Sequence, residues 1–301
     1  MTFYIMKFDL ALLENEKYPS APKGLKNIPQ NFCEDITAMK HILTFSDAKF
    51  FPIVRRVAYH AKRFSGYRIS VYDLGMDDHQ KKLLTDLGAT IAWTEFPENA
   101  LGTNERGQIR TSHKMYCIEH FVRKHNAPLL VIDADTLIIE SVDELWPTEP
   151  DGLVVTARCP REHAPHQRVN GMINAGVMAF GPEIPAEFFL KWKEKCINDV
   201  NATDQSALSD MLAEANIDFG AFDSSQPCWW GSVVVRNGEI YNDVTCRTGK
   251  IFHFKSIARR TKKLLTYKIF SAIYAAFPHM VETLVRYNRK HRLWVWTKKH
   301  G

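Results

Sequence analysis

Two aspartates one residue apart, Asp133 and Asp135, close the apolar run Leu129-Leu130-Val131-Ile132 and are followed by Thr136-Leu137-Ile138-Ile139. Four consecutive apolar residues, two of them β-branched, read as a strand buried on both faces, the kind that belongs to parallel α/β sheets. Ligands in such sheets gather at the carboxyl ends of the strands. Two carboxylates at that edge offer hard oxygen ligands to Mg²⁺ or Mn²⁺, ions that usually complete their shell with substrate phosphates. Metal-dependent chemistry on a phosphorylated substrate is therefore the leading expectation. A solvated turn after a strand is the competing one, because Asp is common in turns and Asp-x-Asp is a short motif.

Such a pair needs a sheet to hold it. Residues 41–45 read as a first strand, and Ser46 or Asp47 can cap a helix whose Phe50, Ile53, Val54, Val57, Ala61 and Phe64 keep helical spacing up to Gly66. A second strand over 68–74, a helix over 77–87 closed by Gly88 and a third strand over 89–96 follow. Beyond a loop with Gly102 and Gly107, a helix over 111–125 leads into the strand that ends at Asp133. Further strands are expected over 152–157 and 175–180, and helices over 185–198 and 204–215. A hairpin of 232–235 with 239–242 is signalled by Asn237-Gly238, and a last short strand covers 250–254. Strands alternating with helices predict an α/β, Rossmann-like, mostly parallel sheet flanked by helices, with Asp-Ala-Asp ending about its fourth strand.

Composition narrows the classes. With 301 residues and 45% apolar content the chain can bury a sizeable core. No run of about 18 apolar residues occurs, and residues 1–13 carry Lys7 and Asp9 without a cleavage-site pattern, so neither a spanning helix nor a secretory signal is expected. The six cysteines, Cys33, Cys117, Cys159, Cys196, Cys228 and Cys246, are scattered without a C-x-x-C pair. That spacing argues against a zinc site or redox dithiol and fits reduced thiols in a cytoplasmic compartment.

Several further signals stand in order around the aspartates: Asp47 just past the first strand, Arg110 and Lys114 ahead of the Asp-Ala-Asp strand, Asn174-Ala175-Gly176-Val177-Met178, Asp204-Gln205, and His253-Phe254-Lys255. In this order residues 41–256 resemble the GT-A fold nucleotide-sugar glycosyltransferases, in particular the retaining enzymes of family 8. The sequence departs from that family after His253-Phe254, where Lys255-Ser256-Ile257 stands in place of a glycine and a Lys-Pro-Trp run. It also departs at Val71-Tyr72-Asp73-Leu74-Gly75.

The resemblance implies a role for each motif. Asp133, Ala134 and Asp135 would meet the metal and the donor nucleotide, with His253 as a third ligand whose imidazole suits Mn²⁺ better than Mg²⁺. Asp47 would accept from the imide nitrogen of uracil, with Thr44 near the base or ribose; a helix cap is the other reading of Asp47. Arg110 and Lys114, one helical turn apart, would offset donor charge, or else are solvated surface charges. Asn174 precedes the small-residue strand Ala175-Gly176, where a sugar could approach the backbone, and its amide would bind sugar hydroxyls. Asp204 and Gln205 would stand beside the donor ring as the catalytic pair, although Asp204 also suits a helix start. Lys255 would steady the diphosphate. For the acceptor, a loop over 159–166 containing His163 and the pair Trp229-Trp230 are weaker candidates, the tryptophans for stacking on sugar faces or simply for the core.

The implied reaction moves a hexosyl group from a nucleotide diphosphate sugar, in the first instance a UDP-sugar, to a hydroxyl of a glycan or lipid-linked acceptor with retention. Inversion would need a carboxylate base beside the acceptor, and Asp223 and Glu162 are the candidates. Two rivals remain. A haloacid-dehalogenase-like phosphatase would use Asp133 as nucleophile and Asp135 as acid, although that motif normally opens its domain. A membrane-surface GT-A scaffold without catalysis is the other.

Charge divides the chain. Net charge is +5, yet residues 259–301 carry eleven Lys or Arg against Glu282 alone, a balance of +10 that leaves −5 on the remainder. The expected organisation is a GT-A catalytic domain over 1–256, with 1–39 an irregular lead-in, and a basic helical tail over 257–301. Leu264, Tyr267, Phe270, Phe277, Trp294 and Trp296 interleave with the tail's charges, a composition suited to an anionic membrane surface. The resemblance of this tail to those of bacterial glycosyltransferases acting on lipid-linked acceptors implies the inner face of a membrane. A helical subdomain packed on the core is the alternative. No helix-turn-helix, zinc-finger or RNA-binding signature accompanies the charge, so nucleic acid is not expected.

Overall fold

The computed structural model describes residues 40–102, 111–138, 141–147, 149–157, 171, 173–199, 201–215, 220–221, 233–236, 239–242, 251–253, 268 and 272. Strand β1 (His41–Ser46) leads into helix α1 (Phe51–His60), which ends in a π-turn, Ala61–Ser65, closed by Gly66 in the left-handed conformation at φ 72°. Strand β2 (Arg68–Asp73) and helix α2 (Asp78–Asp86) follow. Asp77 accepts from the Gln80 N–H while the Gln80 side chain accepts from the Asp77 N–H, a reciprocal cap that fixes where α2 starts. Strand β3 (Thr90–Ala92) is shorter than the expected 89–96.

Helix α3 (His113–His125) delivers the chain through Asn126, held at φ 43°, to strand β4 (Leu129–Ile132). Then come β5 (Thr136–Ile138), β6 (Leu153–Ala157), β7 (Ile173–Phe180), α4 (Ala186–Asn198), α5 (Asp204–Ala215) and the short β8 (Gly220–Ala221). The expected hairpin is present as β9 (Val233–Arg236) paired antiparallel with β10 (Glu239–Asn242), and β11 (Ile251–His253) is the last strand described.

The main sheet has the order β3-β2-β1-β4-β7-β6-β8. Its neighbours pair in parallel except at β7, which runs against both β4 and β6, so the sheet is mixed. Side-chain alternation sends Leu43, Leu129, Val131 and Phe180 to a core under α3, α4 and α5, and Ile42, Leu130, Ile132 and Ala179 to a second core under α1 and α2. The result is a three-layer α/β/α arrangement.

Two departures from the sequence-based expectation bear on function. Asn174 lies inside β7 rather than ahead of it, because the strand starts at Ile173 and its pairing with β6 jumps from Val155↔Met178 to Thr156↔Asn174. The looped-out stretch Ala175-Gly176-Val177 is a bulge, a device that re-aims backbone groups. Strand β5 was not foreseen as a separate element: it leaves the main sheet and pairs antiparallel with β11.

Candidate active site

Asp133, Ala134 and Asp135 link β4 to β5, at the carboxyl edge of the main sheet. The Asp133 N–H donates to the Gly176 carbonyl at 2.8 Å, and the Thr136 N–H and hydroxyl donate to the Asp133 carbonyl at 3.2 and 2.8 Å. The bulge of β7 therefore holds one side of the link and a tight turn closes the other. Because β11 pairs with β5 in a register that sets His253 opposite Thr136, the imidazole arrives beside the aspartates. Its Nε2 lies 3.1 Å from Asp135 Oδ1 and 3.6 Å from Asp133 Oδ2. One ligand atom from each of the three residues falls within 4.8 Å of the others. Gly176 makes room: a Cβ there would meet His253 Cε1 at 2.1 Å and Asn174 Oδ1 at 2.9 Å.

Behind this cluster stands Lys114, 5% exposed, on the first turn of α3. Its ammonium reaches Asp133 Oδ1 at 2.5 Å, Asp204 Oδ2 at 3.1 Å and the Ala175 carbonyl at 3.3 Å. Asp204 opens α5, but the end of that helix is capped by its neighbours: the Thr203 N–H donates to Ser206 Oγ at 2.8 Å and the Ser206 N–H to Thr203 Oγ1 at 3.2 Å. The Asp204 carboxylate is thereby released to face α3, where Thr111 donates its hydroxyl to Oδ1. Trp192 donates its indole N–H to the Asp204 carbonyl at 2.8 Å and fixes the backbone.

The electrostatics follow from burial and neighbours. Burial alone would push the Lys114 ammonium down, yet Asp133 and Asp204 together outweigh it and hold its pKa above the ordinary lysine value. Asp133 is pushed up, first by burial, with Lys114 and His253 offsetting only part. Asp135 suffers the same burial penalty, but His253 and then Lys114 bring it below the usual carboxylate range. Two carboxylates and an imidazole, crowded and with one carboxylate destabilised as an anion, form a donor set that suits a divalent cation taking oxygen and nitrogen ligands.

Of the other expected residues, Asp47 makes the cap-type contact: its Oδ1 accepts from the Phe50 N–H at 2.7 Å. Thr44 is fully buried, with its hydroxyl unpartnered among the described residues. Asn174 spends its side-chain oxygen on the Gly176 N–H at 2.9 Å, and so supports the bulge. Ala175 contributes its carbonyl to Lys114, and Gln205 is half-buried next to Asp204. Arg110, Glu162, His163, Asp223, Trp229, Trp230 and Lys255 lie outside the described residues, as does the tail apart from Lys268 and Ala272. Among the described residues no helix is long and apolar enough to cross a membrane. Thr111, two residues ahead of α3, is not among the residues the sequence singles out; its signal there is a position three residues before Lys114.

No protein-family model and no curated protein matches the chain. Solved structures do. An active-site mutant of LgtC is 15% identical, the match covering 77% of this chain and 95% of that one at a TM-score of 0.54. The galactosyltransferase LgtC in complex with donor and acceptor sugar analogues is 16% identical over 76% of this chain and 95% of that one, at 0.50. The apo-form glycosyltransferase GlyE of Streptococcus pneumoniae is 12% identical over 82% of this chain and 64% of that one, at 0.52. At these identities the likeness speaks to architecture, and with the sheet order above it assigns the chain the GT-A fold that these glycosyltransferases share.

Proposed function

We propose that the protein is a metal-dependent glycosyltransferase that moves a hexosyl group from a nucleotide diphosphate sugar, taken as a UDP-sugar, to a hydroxyl of a glycan or lipid-linked acceptor. One observation carries the reading: Asp133, Asp135 and His253 converge at the carboxyl edge of a GT-A sheet, with a buried lysine behind them. Asp133, Asp135 and His253 would hold Mn²⁺, or Mg²⁺, and the ion would act as a Lewis acid on the departing diphosphate.

The chain's own groups then have distinct work. Lys114 keeps a fixed positive charge on the donor side of the aspartates, where it offsets carboxylate or phosphate charge. Gln205 and Asp204 steady positive charge that develops on the sugar. In a retaining course the acceptor hydroxyl approaches from the leaving-group face and a phosphate oxygen takes its proton, so no protein base is required there. Asp47 would meet the nucleoside and Lys255 the diphosphate, while Thr44, which has no exposed surface, would support the nucleoside side from within the sheet. The phosphatase alternative fares worse: its Asp-x-Asp motif normally opens the domain, whereas here three strands of the sheet precede the one that leads to Asp133.

The basic tail fits contact with anionic lipid at the inner face of a membrane, and a lipid-linked acceptor would meet the enzyme there. Co-sedimentation with vesicles containing an anionic lipid, compared with neutral vesicles, addresses that part separately.

Calorimetric titration of UDP into the protein, with and without Mn²⁺, tests the central claim. Binding that requires Mn²⁺ and is lost in Asp135→Ala is expected. Absence of UDP binding in the unaltered protein at millimolar Mn²⁺ would overturn the uridine-donor reading.

A further inference from the structure

Asp204 is almost sealed from solvent, at 2% exposure, and both of its carboxylate oxygens are engaged within the protein. Oδ1 accepts the Thr111 hydroxyl and Oδ2 meets the Lys114 ammonium at 3.1 Å. Its backbone is anchored separately by Trp192, and its helix is capped by Thr203 and Ser206. The carboxylate is therefore not needed to start α5, and its visible contacts all lead to the amino end of α3. Thr111, just ahead of α3, and Lys114 on its first turn are joined there by the Lys114 N–H donating to the Thr111 carbonyl at 3.1 Å.

We propose that Thr111 is a positioning residue for the transfer reaction: its hydroxyl fixes the Asp204 carboxylate, which in turn holds the Lys114 ammonium at its set distance from Asp133. The inference rests on the glycosyltransferase reading above. A lysine side chain is long and its ammonium is a point charge without directional preference. Without Asp204 its anchors would be Asp133 and the neutral Ala175 carbonyl, so the charge would lean on Asp133 and compete with an incoming cation for that carboxylate. Asp204 supplies a second carboxylate anchor, its Oδ2 3.1 Å from the ammonium. A free carboxylate would rotate about its own bonds to follow the ammonium, and the Thr111 hydroxyl removes that freedom. Asp204 thus acts through Lys114 on the metal and diphosphate side of the site, not only on the sugar.

Thr111→Val keeps the side-chain shape and charge while deleting the hydroxyl; Thr111→Ser keeps the hydroxyl. The measurement is the affinity of each variant for UDP in the presence of Mn²⁺, a probe that contains no sugar. Groups that orient a ligand-bearing side chain are typically worth 10-fold or more in affinity, so Thr111→Val is expected to weaken binding about 10-fold and Thr111→Ser to restore most of it. Because Thr111 works through Asp204, adding Thr111→Val to Asp204→Asn should cost little beyond Asp204→Asn alone. Equal affinities for the unaltered protein and Thr111→Val, or additive losses in the double variant, overturn the positioning role while leaving the glycosyltransferase reading intact. If Thr111→Val is poorly folded by circular dichroism, Thr111→Ser set against Thr111→Ala decides the same question. Failure of the unaltered protein to bind Mn²⁺ with UDP overturns both.

Discussion

At the scale of single residues, the candidate centre depends on one missing side chain as much as on those present. Gly176 lets the His253 ring lie where an alanine methyl would stand, 2.1 Å from Cε1, while its carbonyl accepts from Asp133. Gly176→Ala should therefore push His253 away from Asp133 and Asp135 and weaken Mn²⁺ binding by 10-fold or more, with a smaller loss of thermal stability. Titration of Mn²⁺ followed by its electron paramagnetic signal measures this; an unchanged affinity would show that His253 is not a ligand. The aspartates were legible in the sequence because an apolar run ending in two carboxylates is a local pattern. Thr111 was not, since a lone hydroxyl ahead of a helix acquires meaning only once α5 is known to face α3.

At the scale of elements, the start of α2 and the hairpin could be read from capping and turn residues, which act within four positions, whereas α1 and α3 begin at Phe51 and His113 with no side-chain cap on the preceding residue. Direction and partnership could not. Ile173–Phe180 is buried along its whole length, and such a run looks the same whether it lies parallel or antiparallel to β4. Strand β5 was hidden for a different reason: three residues, Thr136-Leu137-Ile138, directly after the aspartates are too few to show a period. Yet β5 is the element that brings β11, and so His253, to the site. Ile251 and Ile138 face each other in that ladder and are buried in the core under α1 and α2.

Ile251→Ala should cost about 2–5 kcal/mol and also weaken Mn²⁺ binding, because loosening β11 frees the histidine. Phe189→Ala, in the opposite core on α4, should cost a similar 3–5 kcal/mol and affect Mn²⁺ binding far less. Urea unfolding and Mn²⁺ titration on the same samples separate the two effects. Equal losses of metal affinity would mean that general stability, and not β11, governs the site.

At the scale of the whole molecule, the GT-A sheet separates two cores, and His113 on α3 and His41 on β1 bear on how the fold responds to acid. His113 packs edge-on against Phe45, with ring centroids 5.3 Å apart, and its pKa falls to about 3, first through burial and then through Lys114, against a smaller opposing pull from Asp204. His41, at the start of β1 and 5.7 Å from the His125 ring, falls to about 4 through burial, His125 and Arg68. In the unfolded chain each returns to about 6.5. Between that value and the folded ones the unfolded state binds more protons, so stability rises with pH and is lost as pH falls from 6.5 towards 4. Asp73 and Asp135, both held low, act only below the ordinary carboxylate value of 3.8, and Asp133, pushed up, acts in the opposite sense. The histidine contribution is therefore isolated by difference. The melting temperature should drop by several degrees between pH 6.5 and 4.5 in the unaltered protein, at about 2–4 °C per kcal/mol for a domain of this order of size. His41→Gln with His113→Gln should flatten that slope; a double variant that melts with the same pH dependence would assign the acid loss to other groups.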